Sequence, residues 1–125
     1  LLFPGIREKL KNLGHQPWTI VTTKQERFVS QILAANEIDL PSDNIYGLDR
    51  QMSKETVLNE LLEKNPQQNI HFVEDRLPTL LKVIANNSLT TVTLSFALWG
   101  YNTTADKSNA KTQKRINSIT LDHFL

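Results

Sequence analysis

Three short stretches carry residue types suited to binding phosphate and a divalent cation. Thr22-Thr23-Lys24 follows a β-rich run, Trp18-Thr19-Ile20-Val21. A hydroxyl beside a backbone turn can donate to a phosphoryl oxygen, and a lysine next to it can neutralise the charge. Glu74-Asp75 follows the apolar run Ile70-His71-Phe72-Val73. Two adjacent carboxylates at the lip of such a strand are costly unless something compensates them, and oxygen donors of that hardness suit Mg²⁺. Lys54 follows Ser53 at the head of a helical pattern, where a cation opposes the helix dipole at a cost of roughly a few tenths of a kcal/mol unless a negative group is near. Plainer readings stand beside these. Thr22 and Thr23 can satisfy turn donors before the next helix, Asp75 can cap the helix after it while Glu74 pairs with Arg76, and Lys54 can be a surface lysine.

Other chemical residue types are less informative. His15, His71 and His123 have no metal-ligand spacing and no serine and acid arranged as a triad. Trp18 reads as core. Trp99-Gly100-Tyr101 follows a strand and either borders a pocket or packs as an aromatic corner. No Gly-x-Gly-x-x-Gly or Gly-x-x-x-x-Gly-Lys-Ser/Thr loop occurs.

The elements that must position these residues alternate between helical and strand periods. Ile6, Leu10 and Leu13 form a helical stripe after Pro4, and Gly14 marks its stop. Phe28, Val29, Ile32, Leu33 and Ala35 make a second helix ending near Asn36, and Asn44–Gly47 is a weak strand. Ser53 is a plausible N-cap for a helix with Val57, Leu58, Leu61 and Leu62 on one face, ended by Asn65-Pro66. Ile70–Val73 is a buried strand. Leu77, Leu80, Leu81 and Ile84 follow as a helix that tolerates Pro78 only in its first turn. Val92–Leu98 is β-rich, Lys107, Lys111, Lys114 and Arg115 mark a polar helix with a solvated face, and Ile116–Leu121 is a final strand. Helix and strand in alternation, with central strands apolar on both faces, predict an α/β fold: a parallel sheet between helix layers, as one domain over residues 1–125. In such sheets ligands sit beyond the carboxyl ends of the strands, where Thr22-Thr23-Lys24 and Glu74-Asp75 fall.

Composition narrows the classes. The 125 residues carry 14 Lys and Arg against 13 Asp and Glu, a net charge of +1, too even for a nucleic-acid binder working through bulk charge. No apolar stretch reaches the ~18 residues of a membrane helix. There is no cysteine, and hence no disulfide, thiolate site or cysteine nucleophile. This is compatible with an intracellular, reducing home. The opening Leu1-Leu2-Phe3-Pro4-Gly5 is unlike a signal peptide, and the expectation is a piece of a longer protein.

Taken together, the strand-end residues resemble the later part of a haloacid dehalogenase-like hydrolase, closest to the phosphoglycolate-phosphatase-like branch. The Pro4-Gly5 start resembles the return from cap to core. Ile20-Val21-Thr22-Thr23-Lys24 resembles the second motif, which implies that Thr22 holds a phosphoryl oxygen, with Thr23 and Lys24 as substrate contacts. Lys54 matches the third motif's lysine. Phe72-Val73-Glu74-Asp75 matches the fourth motif, which implies Mg²⁺ held by Asp75, with Glu74 as a second carboxylate. Trp99-Gly100-Tyr101-Asn102 resembles the loop after the next strand, and Glu74–Leu80 looks like a subgroup common in photosynthetic lineages.

The fold so implied is a three-layer Rossmann-like core, incomplete because its central strand and any cap are missing. The activity so implied is Mg²⁺-dependent hydrolysis of a small phosphate monoester through an aspartyl phosphate, in the cytoplasm or a plastid stroma, with neither nucleic acid nor membrane as partner. Two departures stand out. Thr79 and Leu80 occupy the places of a second motif-four acid, and no Asp-x-Asp occurs, so the nucleophile would lie upstream of Leu1. The strands before Thr22 and Glu74 are then expected to border a gap, while Thr22, Lys54 and Asp75 converge on one anion-sized hollow. The alternatives are a catalytically inactive binding or scaffold relative, a truncated gene product, another α/β phosphate or nucleotide domain, or a dehalogenase.

Overall fold

The computed structural model describes residues 5–13 and 18–125. Pro4, Gly14 and His15, and the expectations attached to them, lie outside the described residues. Six helices and two small open sheets of parallel strands make a mixed α/β structure among the described residues. The chain divides into two compact units, one running to Ser53 and including Leu125, the other from Lys54 to Phe124.

In the first unit, helix α1 (Ile6–Leu13) precedes strand β1 (Ile20–Val21), helix α2 (Glu26–Ala35) and strand β2 (Ile45–Tyr46). The strands pair in parallel, Ile20 with Ile45 and Val21 with Tyr46. Val29, Leu33, Ile38 and Ile45 form the core, with Leu10, Trp18, Ile20 and Leu40 packed on it. Phe28, counted in the apolar stripe of α2, is instead 50% exposed, with the Arg27 guanidinium over its ring. The helix ends where Glu37 takes a left-handed φ of 58°. The Ile38 N–H reaches the Leu33 carbonyl and the Glu37 N–H the Ala34 carbonyl. This is a Schellman closure, and its usual apolar contact is available between the buried Leu33 and Ile38.

The second unit contains helix α3 (Lys54–Lys64), strand β3 (His71–Glu74), helix α4 (Leu77–Ala85), strand β4 (Thr93–Ala97), helix α5 (Thr104–Ala110), strand β5 (Ile116–Ile119) and helix α6 (Leu121–Phe124). The sheet order is β3-β4-β5, all parallel, with Glu74 opposite Phe96 and Ser95 opposite Asn117. Phe72, Leu94, Phe96 and Ile116 meet Leu58, Leu77, Leu80 and Val83 in one core, which buries a single face of the sheet thoroughly. Only β4 is buried along both faces, from Leu94 to Ala97. His71 in β3 and Asn117 and Ser118 in β5 are exposed, contrary to the expectation for every central strand.

The polar helix is shorter than its lysine spacing predicts. A reciprocal cap between Thr103 and Asp106 starts α5, which stops at Ala110 and leaves Lys111, Lys114 and Arg115 beyond it. Arg115 is not part of a solvated face. Its guanidinium donates to the Leu89 and Val92 carbonyls at 3.1 and 3.0 Å, tying the approach to β4 to the start of β5.

Each sheet keeps an edge strand next to a candidate residue. Among the described residues β1 pairs only with β2, and β3 only with β4. The Ile70 carbonyl accepts the Thr93 N–H, so alternation turns the backbone groups of Phe72 and Glu74 toward β4 and those of His71 and Val73 toward the open edge.

Candidate functional site

Strand alternation decides what Glu74 and Asp75 can do. Glu74 shares the face of Phe72 and Phe96, and that direction buries its carboxylate among apolar side chains. Such a group persists only when paired and hydrogen-bonded. Lys54, the first residue of α3, brings its Nζ to 2.5 Å from Glu74 Oε1, and Oε2 accepts the Asp75 N–H at 3.1 Å. The negative group that makes a lysine acceptable at a helix start is therefore Glu74, and Glu74 takes Lys54 rather than Arg76 as its partner.

Asp75 is held by the loop after β4. Its Oδ2 accepts the Tyr101 N–H at 2.7 Å. The Asn102 Nδ2 donates to the Asp75 carbonyl at 3.1 Å and to the Ala97 carbonyl at 3.0 Å, which joins the carboxyl ends of β3 and β4. A side chain on Gly100 would overlap the Asp75 carboxylate and its Cβ, so the approach depends on the missing Cβ. Asp75 does not cap α4: the N-cap position is Arg76, with no side-chain cap bond. The Arg76 guanidinium lies 5.6 Å from the centre of the Tyr101 ring, which is 79% exposed. Trp99 packs against Phe124.

Thr22, Thr23 and Lys24 form their own turn in the first unit. The Thr22 N–H donates to the Tyr46 carbonyl at 2.9 Å, extending the β1–β2 pairing to the end of the strand. Its Oγ1 accepts the Lys24 N–H at 3.2 Å, which is the turn role open to it from sequence. A hydroxyl that accepts this bond keeps its own hydrogen to donate. The segment after β2 is stitched to this turn. Leu48 N–H donates to the Lys24 carbonyl at 2.8 Å, and a Cβ on Gly47 would come within 2.6 Å of that oxygen.

Glu26, not singled out from sequence, completes the stitching by accepting the Gly47 and Asp49 N–H groups at 3.0 and 3.1 Å. Burial draws the Glu26 carboxyl upward, but the Asp49 side chain and the backbone donors outweigh it and hold the group below its ordinary value. The same shared hydrogen bond, aided by burial and the Glu26 charge, pushes Asp49 up. The available signal was an acid in the first turn of the helix directly after Thr-Thr-Lys.

Lys54, Glu74 and Asp75 thus come together within one unit, while Thr22, Thr23 and Lys24 belong to the other. Among the described residues no group of three or more acidic, histidine or cysteine side chains could hold a metal. Mg²⁺ commonly takes one or two carboxylates and keeps several waters. Asp75 fits that role, since it is half-exposed and only its Oδ2 is engaged among the described residues. Glu74 fits less well, because both oxygens already have donors.

The histidines follow the same logic. His71 Nε2 lies 2.6 Å from Ser95 Oγ, so an exposed edge histidine satisfies a buried hydroxyl. His123 sits in α6. No helix among the described residues is long and apolar enough to cross a membrane. No family model, curated protein or solved structure matches the chain.

Proposed function

We propose that the chain is part of a Mg²⁺-dependent phosphatase with a haloacid dehalogenase-like, Rossmann-like core, acting on a small phosphorylated metabolite in the cytoplasm or a plastid stroma. The observation that carries this reading is the Lys54–Glu74 pair, its carboxylate buried at the carboxyl end of β3 directly beside the loop-held carboxylate of Asp75. A cation kept in position by a buried counter-ion is preorganised to meet charge that builds up on a phosphoryl group. In this reading Lys54 supplies that charge and Glu74 orients it. Thr22 donates its free hydroxyl hydrogen to a phosphoryl oxygen, Thr23 and Lys24 contact the substrate, and Asp75 holds Mg²⁺. When bound, Mg²⁺ would screen the phosphoryl oxygens from an attacking group and favour in-line displacement. The nucleophile is an aspartate outside residues 1–125: its carboxylate attacks phosphorus as the bond to the substrate's alcohol breaks and the alcohol leaves, and water then hydrolyses the aspartyl phosphate to inorganic phosphate and the free carboxylate. Among the described residues β1 and β3 each keep one unpaired edge, which supports strand pairing with further chain.

The test is to express the full reading frame and assay a panel of phosphate esters with and without Mg²⁺. Hydrolysis that needs the metal, lowered ~10²–10³-fold by Lys54→Ala, is expected. Metal-independent activity, no activity, or near-native turnover in the variant overturns the proposal. A second reading, an inactive binding or scaffold relative or a truncated product, is favoured by Thr79 and by Leu80, which is fully buried in the core where a second acid would be expected. Whether Asp-x-Asp-Gly stands upstream of Leu1 in the reading frame separates the two.

A further inference from the structure

Trp99–Asn102 follows the middle strand of its sheet, yet its polar groups are spent on a neighbouring strand's end. Three separate features of the loop converge on Asp75: the Tyr101 N–H on Oδ2, the Asn102 amide on the main-chain carbonyl, and the bare Cα of Gly100 against the carboxylate. The Asn102 amide is shared with Ala97, so it fixes the distance between the two strand ends as well as the Asp75 main chain. An aspartate at that position would offer no donor to either carbonyl. The amide's other end, Oδ1, is buried without a partner among the described residues. Unpaired buried acceptors are uncommon, and an ordered water donating to Oδ1 would satisfy this one.

We propose that Gly100 and Asn102 are positioning residues that aim the Asp75 carboxylate at a divalent cation. This rests on the reading of Asp75 as the cation's ligand. Groups that orient a ligand from behind typically change metal affinity 10–100-fold when removed.

The test uses the full reading-frame protein and reads binding rather than turnover: Mg²⁺ by calorimetry and Mn²⁺ by the electron paramagnetic resonance of the free ion. Asn102→Leu and Gly100→Ala are expected to weaken both ions about 10–100-fold. Val83→Ala, a core change in the same unit, is expected to lower thermal stability and leave affinity unchanged. If Asn102→Leu is recovered unfolded, Asn102→Ala removes the donor with less bulk and carries the comparison. Wild-type affinity in the loop variants, or an equal loss in Val83→Ala, overturns the positioning role while leaving the proposed function standing. Wild-type protein that binds neither ion, or binds them equally well with Asp75→Asn, overturns both.

Discussion

Replacing Lys54 by methionine keeps most of the aliphatic stem and removes the charge that faces Glu74. The Glu74 side chain is 7% exposed and would retain one donor, the Asp75 N–H. With N and O 2.5 Å apart and an effective dielectric constant of ~20, the attraction between the charges is about 6–7 kcal/mol. Much of that is offset by the desolvation of both ions, so the observable quantity is what remains when one partner is lost, about 3–5 kcal/mol. A domain holds roughly 5–15 kcal/mol in total, so the single variant should be visibly destabilised. Glu74→Gln should cost less, roughly 1–2 kcal/mol, because the Lys54 side chain is 22% exposed and can still reach water. The double variant leaves no buried charge and should be more stable than Lys54→Met alone. Urea denaturation followed by circular dichroism gives the four free energies of the cycle. A coupling of about 2 kcal/mol or more is expected. A coupling below ~0.5 kcal/mol would mean that the pair behaves as a surface contact, and the argument from burial would fail. Turnover separates the two roles of the lysine, since the double variant should regain stability without regaining activity.

Two further outcomes follow from the first unit. Because the Glu26 pKa is lowered by folding, its contribution is present above its ordinary value and is lost as pH falls through the lowered one. The Asp49 pKa is raised, so its contribution is present at low pH and is lost as pH rises through the raised value. Melting temperatures across the carboxylate range should therefore show a smaller acid-side rise in Glu26→Gln and a smaller later decline in Asp49→Asn; profiles parallel to wild type would refute the shared hydrogen bond. Glu37→Gly should raise stability by about 1 kcal/mol, because a left-handed φ costs a residue with a Cβ about that much. The exposed ion pair it gives up with Arg7 is worth little. An unchanged or lower denaturation midpoint would show that the strain is not there.

Local periodicity made most elements legible. The stripes through Leu10, Leu33, Leu58 and Leu80 each became a helix, Ile70–Val73 overlaps the strand His71–Glu74, and Val92–Leu98 contains the strand Thr93–Ala97. Misreadings arose where a residue's partner lies far along the chain. Phe28 fits the spacing of a buried face but is 50% exposed, with the Arg27 guanidinium over its ring. Lys111, Lys114 and Arg115 keep helical spacing, yet the chain leaves the helix at Ala110 and Arg115 is drawn to carbonyls 26 and 23 residues away.

The candidate site divides along the same line. Residue type and position at a strand end or, for Lys54, at a helix start, all local properties, singled out Thr22, Lys54, Glu74 and Asp75 before any partner was known. Which carboxylate is buried and which is presented followed only from the parallel register, because a strand sends successive side chains to opposite faces and β4 decides which face is core. That Lys54 meets Glu74 across 20 residues, and that the Tyr101 N–H and the Asn102 amide hold Asp75, depends on α3 and the β4 loop arriving at the same strand end. Proximity of that kind is a property of packing, and no spacing along the chain encodes it.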